Sequence, residues 1–339
     1  MTVASNADGD AGTGARNLRS VAVFLGALVA LSSGVVAVSR LSDVSMIALA
    51  PLYMFTPMLA GIATCIVGPP SFERAGLRLP RNRFRWLGIA AVVPIVLVLL
   101  GTALALALPG VEFVPDANPL TGEGTDFAPA QEGEPAGPSL PDWPLNLLVA
   151  IVAAVAIGAT FNAVFAFGEE FGWRGVLLTA LAPLGFWGAS AVIGVLWGLW
   201  HAPIILEGYN YPSYPVLGVA VMTAACLAMS PVYTYVAVAA RSVVAPAIFH
   251  GTFNAFAATM IVFAQGGSEL VVNPVGAIGI LVFGLAAAAI AVRGPPSLEA
   301  NWAVAGKTDG DADATDGRDR GAVESTTDDE LGADERGQQ

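Results

Sequence analysis

Gly168-Glu169-Glu170-Phe171-Gly172-Trp173-Arg174-Gly175 places two adjacent carboxylates and a guanidinium inside a sequence that is otherwise almost continuously apolar. An ionised carboxylate in hydrocarbon is expensive, so acidic side chains inside an apolar span mark a functional site by default. Around the motif, positions 145 to 181 form an apolar stretch of 37 residues. A membrane crossing needs roughly 20. The stretch is either one long tilted helix or a span followed by an interfacial turn. Pro183 to Gly185 breaks it.

The rest of the chain has the same character. Of its 339 residues, 55% are hydrophobic and 12% charged, where a soluble domain carries about 25% charged residues. The expected fold class is all-α, a polytopic integral membrane bundle of about eight transmembrane helices. The spans fall at 21–38, 44–67, 86–108, 145–181, 186–206, 216–240, 243–264 and 275–292, with a kink expected at Pro231. Arg16 and Arg19 precede the first span as they would in a cleaved signal peptide, but no clean small-residue cleavage site separates it from the second. The implied organisation is a disordered tail over 1–16, three N-terminal helices over 17–108, and an acidic flexible extracytoplasmic loop over 109–144. A core carrying the polar motifs follows over 145–293, then an acidic disordered tail over 294–339.

Charge sets the orientation. Arg74, Arg78, Arg81, Arg83 and Arg85 face Glu73 alone in the loop after the second span. By the positive-inside rule that loop is cytoplasmic, and Arg16, Arg19, Arg241 and Arg293 fall on the same side. Both termini of a multi-pass cell-membrane protein are then cytoplasmic. Between positions 109 and 144 there are seven acidic residues and no basic one; after Arg293 there are twelve acidic residues, and Lys307 is the only lysine of the chain. Such lysine-poor acidic segments suit either a protein adapted to high salt or ordinary disordered acidic tails. No nucleic-acid partner is expected. Cys65 and Cys226 both lie in apolar segments, which argues against a disulfide framework or a cysteine metal site.

Three polar islands stand in the second half. Glu170 and Arg174 are four apart, on one helix face, and suit an ion pair. Glu169 is rotated about 100° from Glu170 and can meet another partner. One carboxylate is thus held by arginine while its neighbour stays available for chemistry. The second island is Trp197-Gly198-Leu199-Trp200-His201, with Trp197 one turn before His201 on the same face; the third is His250-Gly251-Thr252-Phe253-Asn254, with His250 and Asn254 on one face. A lone histidine in an apolar helix is more often a hydrogen-bonded core residue than a ligand, but here both histidines of the chain are intramembrane.

Glu169 and His201 each lie sixteen residues from Gly185. In an antiparallel hairpin both sit roughly 24 Å from the turn and can meet. Gly168, Gly172, Gly194 and Gly198 would let the helices approach closely. The level of His250 matches only if the 183–185 turn protrudes from the bilayer. A carboxylate and an imidazole holding one water can deprotonate it for attack on a carbonyl. His250 and Asn254 can donate hydrogen bonds to the resulting oxyanion. No Gly-x-Ser-x-Gly elbow and no His-Glu-x-x-His motif is present. A zinc ion held by Glu169, His201 and His250 is the other chemistry this residue set allows.

At these residues the chain resembles the CPBP, or Abi, family of intramembrane proteases, which contains the type 2 CAAX prenyl endopeptidases and bacteriocin-processing relatives. The family pattern is Glu-Glu-x-x-x-Arg, then Phe-x-x-x-His, then His-x-x-x-Asn or a related residue in place of the Asn. Here it reads Glu169, Glu170 and Arg174, then His201, then His250 and Asn254, with Trp197 where phenylalanine is usual. The likeness covers about 145–292; the first three spans match only in number. The resemblance implies an endopeptidase in which Glu169 and His201 activate water, His250 and Asn254 form the oxyanion site, and Glu170 and Arg174 support them. It leaves zinc and metal-free mechanisms both open. It implies membrane lipid as surroundings and a peptide or prenylated protein as substrate. A transporter relaying protons through the same residues, or a non-catalytic scaffold or immunity protein on the same fold, are the competing readings.

Overall fold

The computed structural model describes residues 5–80, 82–118 and 141–304, with side chains described from Asn17 onward. Among these, eight helices are long and apolar enough to cross a membrane: Asn17–Ser42, Ala50–Val67, Arg83–Leu106, Leu145–Ala180, Ala182–Ile205, Pro215–Ala240, Val244–Phe263 and Glu269–Arg293. They are numbered here as the first to eighth spans. Hydrocarbon offers the backbone no hydrogen-bond partners, so apolar runs of this length must satisfy their own amides as helices.

The fourth span is a single long helix, which settles the alternative left by its length. It is α-helical over Leu145–Ile157, Ala163–Glu170 and Leu178–Ala180, with π-helical turns over Gly158–Asn162 and Phe171–Leu177. A π turn adds a residue to the helical circuit and re-aims the side chains beyond it, a device frequent at functional sites. Gly185, at φ +68, turns the chain into the fifth span. Pro231 sits inside the continuous helix of the sixth.

Each end of the bundle is stitched by its own loops. At one end, Val243 donates its backbone N–H to Gly76 O at 3.0 Å, Ser242 Oγ donates to Arg78 O at 2.5 Å, and Thr179 Oγ1 donates to Arg74 O at 3.2 Å. This is the arginine-rich end. At the other, the Met46 N–H donates to Glu207 Oε2 at 2.7 Å, the Ser213 N–H to Glu269 Oε1 at 2.6 Å, and Asn273 Nδ2 to Asn210 O at 3.1 Å. Here strand β1, Val111–Phe113, pairs antiparallel with β2, Ala264–Gly266, Val111 lying opposite Gly266. This two-stranded ribbon is the one exception to the all-helical architecture among the described residues.

The seventh span is the centre, with 67% of its apolar window buried against 17% for the first. It crosses the fourth where glycine meets glycine. A Cβ on Gly251 would come within 2.4 Å of Gly158 O, and one on Gly158 within 2.7 Å of Thr252 Cα, so only a hydrogen fits at either position. Large apolar residues such as Ile66, Val92, Val152 and Leu285 are left exposed along the outside, as a lipid-facing surface requires.

Several segment expectations are modified. Of the expected disordered tail over 1–16, the backbone is described from Ser5, where it is already helical and continuous with the first span through Ser42. The acidic loop is described at its two ends only. There, besides β1, Asn146 Nδ2 donates to Pro115 O; positions 119–140 lie outside the described residues. The segment after Arg293 does not leave the protein at once. Residues through Ala303 belong to one compact unit. Trp302 is 3% exposed and donates its indole N–H to Thr179 Oγ1 at 3.0 Å. An indole can bury its area only by returning to the bundle, and its N–H needs a partner there. The remaining acidic tail, 305–339, lies outside the described residues.

Candidate active site

Glu169 and Glu170 follow each other on the fourth span just before its second π turn, and both are buried, as is Arg174. Their neighbours differ as their angular offset requires. Arg174 Nη1 lies 3.1 Å from Glu170 Oε1, the expected ion pair. The same Oε1 receives His250 Nδ1 at 2.9 Å. Glu169 turns to the fifth span, where Trp197 Nε1 donates to its Oε2 at 2.7 Å. Charge-assisted bonds of this kind are roughly twice as strong as neutral ones.

Trp197 is the hub of the arrangement. Its ring centroid lies 5.4 Å from that of His250, edge to face, and 5.8 Å from that of His201. The Arg174 guanidinium lies over it at 4.4 Å and over Tyr233 at 4.9 Å. Arg174 Nε and Nη2 have no hydrogen-bond partner among the described residues. The two π faces, with Glu170, are what this buried cation rests on.

The ring orientation of each histidine is legible from its partner. His201 Nδ1 lies 2.7 Å from the Trp197 carbonyl, which can only accept, so Nδ1 carries hydrogen and Nε2 of the neutral ring carries the lone pair. His250 Nδ1 faces an ionised carboxylate and donates to it by the same reasoning. The Glu170–His250 contact also fixes the level of the third island. Glu170 lies fifteen residues before Gly185 and His250 nine after Arg241, roughly 22 and 13 Å of straight helix. Leu184, at the tip of the 182–185 turn, is exposed.

Glu169, His201, His250 and Asn254 all line one cavity of about 140 Å³. The structure thus gathers residues from three spans that are up to 85 positions apart in sequence. Glu170 and Arg174 stand behind the wall, and Trp197 forms part of it. The four glycines expected to bring the fourth and fifth spans together serve other neighbours. Gly168 and Gly172 pack against Phe55 and Pro57, Gly194 against Leu227, and Gly198 against Thr223. The hairpin is joined by the Trp197–Glu169 bond, and its glycines admit the second and sixth spans.

Two tyrosines on the wall were not singled out in the sequence. Tyr53 stacks on Trp200 at 4.5 Å and donates its hydroxyl to Trp200 O at 2.9 Å, which holds the end of the helix that presents His201. An aromatic with a polar tip in an apolar span was the available signal. Tyr209 lies in the loop beyond the fifth span. Desolvation, and then the charge of Glu169, push its hydroxyl above its ordinary pKa, so it stays a hydrogen-bond donor at neutral pH.

Glu169, His201 and His250, the residues that would hold a zinc ion, line the same cavity. Among the described residues no three His, Cys, Asp or Glu side chains are disposed to hold a metal ion. His250 Nδ1 and Glu169 Oε2 are engaged by Glu170 and Trp197.

Residues 146–256 match the family described as Rce1-like, type II CAAX prenyl endopeptidase Rce1-like. The matched segment contains all three motifs, from Glu169 to Asn254. No curated protein sequence matches the chain.

Proposed function

We propose that this chain, which belongs through residues 146–256 to the CAAX-protease family of membrane proteins, is an intramembrane endopeptidase using water activated by Glu169 and His201. The observation that carries the proposal is the shared cavity of Glu169, His201, His250 and Asn254 inside the matched segment.

A water between the Glu169 carboxylate and the His201 Nε2 lone pair gives up a proton as it attacks the scissile carbonyl carbon. The negative charge then moves to the carbonyl oxygen. Asn254 Nδ2 donates to that oxyanion, and His250, held at Nδ1 by Glu170, offers Nε2–H as the second donor in its doubly protonated form. Collapse of the tetrahedral intermediate breaks the C–N bond. The proton taken from water passes to the departing amine, leaving Glu169 and His201 as they began. Trp197 holds the carboxylate, and Glu170 with Arg174 holds His250. The family description makes a lipid-modified polypeptide end the first substrate class to test.

The test is a comparison of membrane-derived peptides from cells carrying wild type, Glu169→Gln, His201→Ala or His250→Ala. Specific fragments should disappear in each variant while inserted protein persists. Identical peptide sets would remove the proposal.

A further inference from the structure

The active-site cavity is asymmetric along the bundle. Besides the site residues its wall contains Tyr209, Asn210, Asn273 and Pro274, from the loops that follow the fifth span and precede the helix Ala277–Arg293. It takes no residue from the loop over 68–82, from the 181–185 turn or from the 241–243 connection. These belong to opposite stitched ends. Asn273 bonds to Asn210 at one end, while Val243 bonds to Gly76 at the other. The cavity therefore runs from Glu169 and His250 toward the end that holds Met46, Glu207 and β1–β2.

Charge assigns the two ends. Among the described residues the closed end carries Arg74, Arg78, Arg83, Arg85, Arg241 and Arg293. On the cavity end, the described loop segments 43–49, 107–118, 141–144, 206–214 and 264–268 contain no lysine or arginine. Arg40, paired with Glu207 at 3.7 Å, is the sole basic residue bordering that end among the described residues. Arginine in short loops is retained on the cytoplasmic side during insertion, and acidic residues contribute little to the choice.

We infer that the cavity opens on the extracytoplasmic face and receives its substrate there: an apolar segment of an exported or membrane-anchored polypeptide. The apolar character follows from the wall. Met222, Cys226 and Met229 recur along one face of the sixth span and Ala257 and Ile261 along the seventh, and the only carboxylate among the lining residues is Glu169. A charged side chain beside the scissile bond would find no other opposite charge to replace its lost water. A lipid-modified tail presented from the cytoplasm would instead meet the arginine-rich closed end. The inference rests on the endopeptidase reading for its substrate, but not for its face.

The face is tested without any activity. In a Cys65→Ala, Cys226→Ala background, Tyr214→Cys reports the cavity end and Arg83→Cys the closed end; both positions are exposed. A charged, membrane-impermeant maleimide added to intact cells should label Tyr214→Cys, and should label Arg83→Cys only after permeabilisation. Ser45→Cys and Ser71→Cys, exposed at the same two ends, repeat the measurement should either first variant fail to accumulate. The reverse pattern overturns the inference. The substrate is tested by mapping the fragments that wild type makes and Glu169→Gln does not. Fragments from extracytoplasmic segments support the inference. Fragments from cytoplasmic segments overturn it while the endopeptidase reading stands. Identical peptide sets remove the endopeptidase reading and the substrate claim with it, whatever the labelling shows.

Discussion

The indole N–H of Trp197 donates to Glu169 Oε2 at 2.7 Å. The side chain one turn before His201 thereby fixes the carboxylate on the neighbouring span, and its own backbone carbonyl lies 2.7 Å from His201 Nδ1. One residue sets the orientation of both groups proposed to hold the water.

Trp197→Phe tests this directly, because it keeps a ring and removes the donor. A hydrogen bond to a charged group contributes about 1.5–3 kcal/mol, so kcat should fall roughly 10- to 100-fold. KM should change little, since the lost bond orients a catalytic group and does not hold substrate. The related motif usually carries phenylalanine here, which makes the experiment sharp. Unchanged kcat would show that the carboxylate is held by its surroundings without the indole.

Glu170→Gln should cost more stability than Glu169→Gln. Glu170 Oε1 serves both Arg174 and His250. Its loss leaves a buried guanidinium without its counter-charge, a change that costs about 3–5 kcal/mol. Glu169 has no ion pair among the described residues to lose. Thermal unfolding of the two variants in detergent gives the comparison, and an equal loss for both would contradict the division of roles.

Gly251→Ala should separate the fourth and seventh spans. The new methyl would meet Gly158 O at 2.4 Å and Ala163 N at 2.5 Å, both backbone atoms that cannot step aside. Overpacking of this kind costs about 1–3 kcal/mol or more, and the Glu170–His250 bond spans the same crossing. Gly26→Ala, where nothing lies within 4 Å of the added atom, is the control and should leave the melting temperature unchanged. A Gly251→Ala protein as stable as the control would mean that the helices are less closely packed than described.

Trp302→Ala should destabilise the closed end. It removes a buried indole and the bond to Thr179 Oγ1. Phe or Trp to Ala changes in cores cost about 3–5 kcal/mol. Truncation after Gly294 should match Trp302→Ala, whereas truncation after Val304 keeps the packed segment and should not lower the melting temperature. Equal behaviour of the two truncations would show that the docking of Trp302 contributes little.

Much of the candidate site was legible because the surrounding sequence is so apolar. In a soluble protein Glu169, Glu170 and two histidines would be ordinary; inside long apolar runs each demands a partner. Spacing alone located the Glu170–Arg174 pair, because residues four apart in a helix must be neighbours. The partner of His250 was not legible. Eighty positions separate His250 from Glu170, and no periodicity relates different helices. The indole bond to Glu169 was hidden for the same reason. Trp197 read as an aromatic on the His201 face, while the direction of its N–H depends on how the fourth and fifth spans lie against each other. Trp302 was missed because acidic composition dominated the reading of its segment, whereas one indole decides where the first residues after Arg293 lie.

The sequence by itself determined the number of spans and the all-helical class. These follow from local quantities: the length of an apolar run and the hydrogen bonds a backbone must make within itself in lipid. Tertiary structure alone decided which carboxylate meets which imidazole, which glycines admit which helix, and toward which end the cavity runs. Those depend on helix rotation, on the two π turns of the fourth span and on contacts between residues far apart in sequence, none of which a local pattern encodes.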